Sequence, residues 1–91
     1  MTIYKYPLRV DDRQKVEMPR GARVLCAQVQ LGSPCVWALV DENETAKDTV
    51  ILLTYGTGHY MSPTQAKDNE YVGTYQLAGG DLVFHVFRDV A

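Results

Sequence analysis

The sequence predicts an all-β chain, a small antiparallel sandwich or partly open barrel of about six to seven short strands. Three observations carry this reading. Apolar residues recur at every second position in short segments. Turn-forming Gly, Pro, Asn and Asp separate those segments. No helical period of about 10–15 residues lies between them, which disfavours an α/β layer. The chain has 91 residues, enough for a single compact β domain spanning residues 1–91. Surface scaling gives roughly 5,300 Å² folded and about 64% of the extended surface buried. That is one modest core, and sharing an edge or an apolar face with a second copy is physically attractive.

The elements follow in order. "TIYKYPLRV" (2–10) puts Tyr4, Tyr6, Leu8 and Val10 on one parity, and Pro7 marks an edge or a break. A short segment around Val16 and Met18 ends at Pro19 and Gly21. "ARVLCAQVQL" (22–31) and "CVWALVDE" (35–42) form a hairpin with "GSP" (32–34) as its turn. That register places Leu25, Ala27, Val29 and Leu31 against Leu39, Trp37 and Cys35, with Gln28 and Gln30 on a wetter face. "NETAKD" (43–48) is a loop, and "TVILLTY" (49–55), apolar on both parities and free of proline, reads as a central strand. In the last hairpin, Gly79–Gly80 as the turn sets Leu77 opposite Leu82, Tyr75 opposite Phe84, Gly73 opposite Val86, Thr74 opposite His85 and Val72 opposite Phe87. Gly73 then marks a close approach or a bulge.

A formal charge of −2, with nine basic and eleven acidic residues scattered along the chain, argues against a nucleic-acid binder working by phosphate neutralisation. No segment has the pattern of a signal peptide or the roughly 20 apolar residues of a membrane span. The expectation is a soluble cytoplasmic protein. The predicted register separates Cys26 and Cys35 by roughly 16 Å, so both are read as reduced packing residues.

Residues 56–70 are the one long stretch not committed to a strand. Within it, Ser62 as N-cap, Pro63 at the first helical position and Gln65 three residues on spell a capping box. A connection this long is often functional, and two readings of "GTGH" stand side by side. In one, Gly56 and Gly58 take positive φ so the chain can leave a central strand, and His59 bonds a nearby carbonyl. In the other, amides around Thr57 and Gly58 form a nest for an anion, rimmed by His59 and Tyr60. The candidate ligand-binding set is therefore Tyr55, Gly56, Thr57, Gly58, His59, Tyr60 and His85. His85, mid-strand in "VFHVF", reads as a histidine shared with Thr74 or a tyrosine. Its pairing with His59 as metal ligands lacks a third ligand at suitable spacing, so no metal and no cofactor is expected. Ser33 and Ser62 sit in proline turns without a nucleophile elbow, and no carboxylate pair is fixed at one strand end. The chain leans away from catalysis. Six tyrosines, which cover apolar area while keeping a polar handle, favour binding.

"IYKYPL" (3–8), Gln14 ahead of "VEMPRGARVL" (16–25), "QVQLGSPCVWALVD" (28–41), "GTGH" (56–59) and "YVGTYQLAGGDLVFHVF" (71–87) together resemble a family of small uncharacterised proteins of bacteria and tailed phages. Trp37, Gly56–His59 and His85–Phe87 match its landmarks. The resemblance implies a stand-alone domain of bacterial or phage origin, placed in the host cytoplasm if phage-encoded, and leaves activity open. Three functions are carried forward. The leading one is a non-enzymatic accessory or host-interaction protein acting as a homo-oligomeric binding module. The second is a protein that binds or sequesters a small molecule, such as a nucleotide-like anion. The third is a small hydrolase or metal-dependent enzyme.

Overall fold

In the computed structural model, which describes residues 1–90, seven strands form two antiparallel sheets. The strands are β1 (Thr2–Pro7), β2 (Arg13–Pro19), β3 (Arg23–Gln30), β4 (Ser33–Val40), β5 (Lys47–Gly56), β6 (Asn69–Leu77) and β7 (Leu82–Asp89). One helix, α1 (Pro63–Asp68), precedes β6, and a 3₁₀ turn (Ala78–Gly80) joins β6 to β7. The three-stranded sheet has the order β1-β4-β3 and the four-stranded sheet the order β2-β5-β7-β6. The expected all-β sandwich is what forms. It is flat, 40 × 34 × 16 Å, and its accessible surface of 5735 Å² exceeds the roughly 5,300 Å² usual for this mass.

The core is one cluster between the sheets. Met18, Val36, Val40, Val50, Leu52 and Val86 are fully buried, with Tyr75 and Val72 beside them. Buried Gln14 acts as a side-chain substitute for a strand partner. Its Oε1 accepts the Arg9 amide at 3.0 Å and its Nε2 donates to the Arg9 carbonyl at 2.7 Å, so a polar group in the core is fully paired. At one side the edge strands of the two sheets cross. A Cβ on Gly73 would lie 2.8 Å from the Ala27 amide nitrogen and 2.9 Å from its carbonyl oxygen. Only a residue without a side chain fits there.

β5 is central, with β2 on one side and β7 on the other. β1 is an edge strand ending at Pro7, and its Tyr6 packs against the core. In the last hairpin the pairs Leu77–Leu82, Tyr75–Phe84, Gly73–Val86 and Thr74–His85 are those the sequence predicts. A bulge at Val72 then brings Tyr71, rather than Val72, opposite Phe87. Gly73 therefore sits at both a bulge and a close approach.

The β3–β4 hairpin differs from its sequence reading. Its turn is Leu31–Gly32, both with positive φ (51° and 80°), and Gln30 pairs directly with Ser33. Such a two-residue primed turn matches the twist of the flanking strands. The shorter turn slides β4 by an odd number of residues, and every β4 side chain changes face. Val36, Ala38 and Val40 point inward; Cys35, Trp37 and Leu39 lie on the outer face. The small and β-branched residues suit the narrow gap between sheets better than an indole. A second irregularity, between Val24 and Cys26, makes Leu25 an extra, exposed residue, and Leu31 is 98% exposed in the turn. The cysteine expectation falls with the register. Cys26 pairs with Trp37 and Cys35 with Gln28, making the two cysteines diagonal neighbours at roughly 7–8 Å. Both are free thiols.

The long connection also acquires a structural reason. β5 and β6 are both antiparallel to β7, hence parallel to each other. Joining parallel strands takes a crossover of about a dozen residues or more. Residues 57–68 supply it, and α1 forms with the predicted capping box, Ser62 Oγ accepting the Gln65 amide at 3.1 Å and Gln65 Oε1 accepting the Ser62 amide at 2.9 Å. The core face is occupied by the other sheet, so the crossover passes over the outer face, where Tyr60, Thr64 and Gln65 line clefts with Arg13 and Leu53.

Candidate functional site

The outer face of the four-stranded sheet gathers two groups of polar and aromatic side chains. Both follow from strand alternation: Leu53 and Tyr55 on β5, His85 and Phe87 on β7, and Tyr71 and Thr74 on β6 all project away from the core.

The first group is a continuous hydrogen-bonded chain. Thr57 Oγ1 lies 2.7 Å from His85 Nε2, His85 Nδ1 lies 2.9 Å from Thr74 Oγ1, and Thr74 Oγ1 lies 2.6 Å from the Tyr71 hydroxyl. Each hydroxyl both donates and accepts, so the imidazole stays paired whether it carries one proton or two. The Phe87 ring is set edge-on between Tyr55 (5.7 Å) and Tyr71 (5.5 Å), in the T-shaped geometry that the ring quadrupoles favour. The expected partnership of His85 with Thr74 is present, and Thr57 is a second partner that joins it to the crossover.

The second group surrounds the start of the crossover. The Gly56 amide donates to His59 Nδ1 at 3.2 Å, and the His59 amide donates back to the Gly56 carbonyl at 3.0 Å. The ring of His59 thus closes the turn by accepting an amide rather than by donating to a carbonyl, and its remaining proton sits on Nε2. Gly58 has positive φ (92°), whereas Gly56 does not. The Thr57 amide reaches the Val83 carbonyl at 3.4 Å. With the amides of Gly56, Thr57 and His59 all used inside the chain, these three groups do not form an open anion nest.

His59 instead stands between two clefts. One, of about 360 Å³, is lined by Asp12, Arg13, Thr54, Tyr55, His59 and Tyr60 over Leu53. The other, of about 390 Å³, lies between Thr57 and Asp81 beside Phe84. A third cleft of about 300 Å³ adjoins the first across Arg13 and Leu53 and is bordered by Gln65, Asp68, Asn69 and Asp89. The structure thus groups Tyr55, Thr57 and His85 on the sheet and Tyr55, His59 and Tyr60 around the Arg13 cleft. Sequence reasoning did not single out Arg13, Thr54 or Phe87 as site residues. Arg13 reaches the site only because β2 pairs with β5, setting Arg13 opposite Leu53 forty residues on, and no local signal announces that pairing.

Among the described residues, no group of three or more His, Cys, Asp or Glu is placed to hold a metal ion. No helix among them is long and apolar enough to cross a membrane. On the opposite sheet, Lys5 Nζ donates to Gln30 Oε1 at 2.9 Å, from β1 to β3 across the intervening β4. Cys35, beneath this link, is 3% exposed. Burial pushes its thiol pKa upward, more than the nearby Lys5 charge lowers it, which is the setting of a packing thiol rather than a nucleophile.

Fold and site together define a small two-sheet β-sandwich with a roofed polar face and a bare apolar one. The chain belongs to a family described as Domain of unknown function (DUF7352), which it matches over residues 1–91. No curated protein and no solved structure matches it.

Proposed function

We propose that the protein is a non-enzymatic binding module that self-associates through the outer face of its three-stranded sheet. The carrying observation is the composition of that face. Across β1, β4 and β3 its rows are Ile3–Leu39–Arg23, Lys5–Trp37–Cys26 and Pro7–Cys35–Gln28. Ile3 is 57% exposed, and Trp37, Leu39 and Cys26 are half-buried. Ile3, Leu39 and Trp37 form its apolar part and Arg23 its margin, while the Lys5–Gln30 link crosses it above Cys35; an apolar centre with a polar surround is how interface cores are composed. The crossover lies on the other sheet, and α1 and the 3₁₀ turn pack against β6 and β7, so apart from the Lys5–Gln30 link over Cys35 no described element crosses this face. The molecule's excess accessible surface points the same way.

In this reading the protein is an accessory or host-interaction factor of bacterial or phage origin working in the cytoplasm, where free thiols are the norm. Sedimentation velocity at micromolar protein tests it. A dimer or larger species, shifted to monomer by Trp37→Glu or Ile3→Glu, is the expected result. A wild-type protein that stays monomeric across the accessible concentration range defeats the proposal.

A further inference from the structure

The Arg13 cleft, on the sheet opposite the self-association face, carries an independent inference. Its lining is built mostly of hydrogen-bond donors. Arg13 has no ion-pair partner among the described residues; the cationic side chains that are paired are Arg9, with Asp11, and Arg20, with Asp48. His59, with Nδ1 occupied by the Gly56 amide, offers Nε2–H. Thr54 borders the cleft, but its side chain follows the core-facing parity of Val50 and Leu52 and its hydroxyl is buried away from it. Two phenol rings flank these groups: Tyr55, held edge-on by Phe87, and Tyr60, 80% exposed. A guanidinium beside rings matches an oxyanion attached to a planar group.

We propose that this cleft binds a small aryl oxyanion, a planar ring carrying a carboxylate or phosphate group. Arg13 anchors the charge, Tyr55 and Tyr60 flank the ring, and His59 supplies a further hydrogen bond from Nε2–H. Asp12 at the rim restricts the site to ligands of low negative charge. The adjoining cleft extends the selection. Gln65, exposed at its border, has its Oε1 engaged with the Ser62 amide, which leaves its amide donors for a ligand. Asp68 and Asp89 border the same space, so it accepts a neutral hydroxyl- or amide-bearing substituent and repels a second anion. The volume of about 360 Å³ lies within the usual range for small-molecule sites, roughly 300–1,000 Å³.

The test is an NMR titration of the ¹⁵N-labelled full chain with phenyl phosphate and, separately, benzoate at millimolar concentrations, with inorganic phosphate and phenol as controls. Saturable shifts confined to the amides of residues 12–13, 53–55, 59–60 and 64–69 are expected with at least one aryl anion, and which of the two binds identifies the acidic group. Affinity is expected to fall about tenfold for inorganic phosphate and about tenfold for Arg13→Gln, since hydrogen bonds to charged groups are the strong ones. Tyr60→Ala is expected to weaken binding by severalfold. Both side chains are exposed, and the dispersion of the free spectra verifies that the variants fold. No saturable shift with either aryl anion overturns the proposal. So does equal binding of inorganic phosphate, which would mark an adventitious ion only, or an Arg13→Gln variant that binds like wild type.

Discussion

The two sheets treat their outer faces in opposite ways. On the four-stranded sheet, polar atoms pair with each other: Thr57, His85, Thr74 and Tyr71 form one chain, and the crossover passes over Leu53 and Arg13. On the three-stranded sheet, Lys5–Gln30 is the hydrogen bond that spans the face, and Trp37, Leu39 and Ile3 meet solvent in part. The difference comes from connectivity. β1, β3 and β4 are joined or paired by antiparallel neighbours and short turns, which leave nothing over the face. β5 and β6 are parallel, and their long link roofs one side. An outer face is therefore apolar and open, or polar and crossed by a connection, according to which strands must be joined in parallel.

Three substitutions probe that contrast, from the largest effect to the smallest, and a fourth probes the core between the faces. Gly73→Ala strikes where the two sheets touch. With Ala27 backbone atoms at 2.8–2.9 Å from the new Cβ, neither edge can yield cheaply, and a loss of about 3 kcal/mol is expected by urea denaturation. Both faces are expected to melt together. Thr74→Val breaks the hydroxyl–imidazole chain at its middle link. Because these bonds are exposed, the cost is expected near 1 kcal/mol, with a change in the His85 ring signals by NMR. Trp37→Glu alters only the bare face, so monomer stability is expected to move by no more than about 0.5 kcal/mol while the sedimentation coefficient falls. A large loss of monomer stability would mean that Trp37 belongs to the core after all.

Tyr75→Phe concerns the layer between the faces. Tyr75 is 4% exposed, and its hydroxyl has no partner among the described residues. Removing it is expected to leave stability unchanged or raise it by up to about 1 kcal/mol at neutral pH. Burial also lifts its pKa above the usual value. An unfolded tyrosine loses its proton near pH ~10, so above that point the unfolded chain binds fewer protons than the folded one. Stability is then fully present below about pH 10 and falls as pH rises. Tyr6, raised by burial and then by neighbouring Tyr4, adds to the same slope. Unfolding free energy measured by urea denaturation above about pH 10 is expected to fall less steeply with pH for Tyr75→Phe than for wild type.

The two hairpins show how far the chain can be read without its fold. In β6–β7, four residues separate Leu77 from Leu82; moving the turn to Gly80–Asp81 would change the partners but keep each side chain on its face, and the register centred on Gly79–Gly80, which sets Thr74 opposite His85, is the one that forms. In β3–β4, the turn involves Leu31, a residue that rarely takes positive φ, and "GSP" offers a competing turn from composition alone. Apolar residues on both parities of β4 then remove the usual check, since either face could be the buried one. The same ambiguity displaced the cysteines. The sequence marks His59 only as a candidate, and its use as an amide acceptor depends on a three-residue return that composition does not encode.

Alternation, turn residues and the Ser62 capping box are local properties of the chain, and they alone determined that it forms strands, where most of them end, and that one helical turn interrupts them. Tertiary structure decided the rest: which side of β4 is buried, why Gly73 must be glycine, and how Arg13, Thr54, His59 and Tyr60 come to share one cleft. The reason is range. A strand's period is written in neighbouring residues, whereas the partner across a sheet or between sheets is chosen by the packing of segments tens of residues apart.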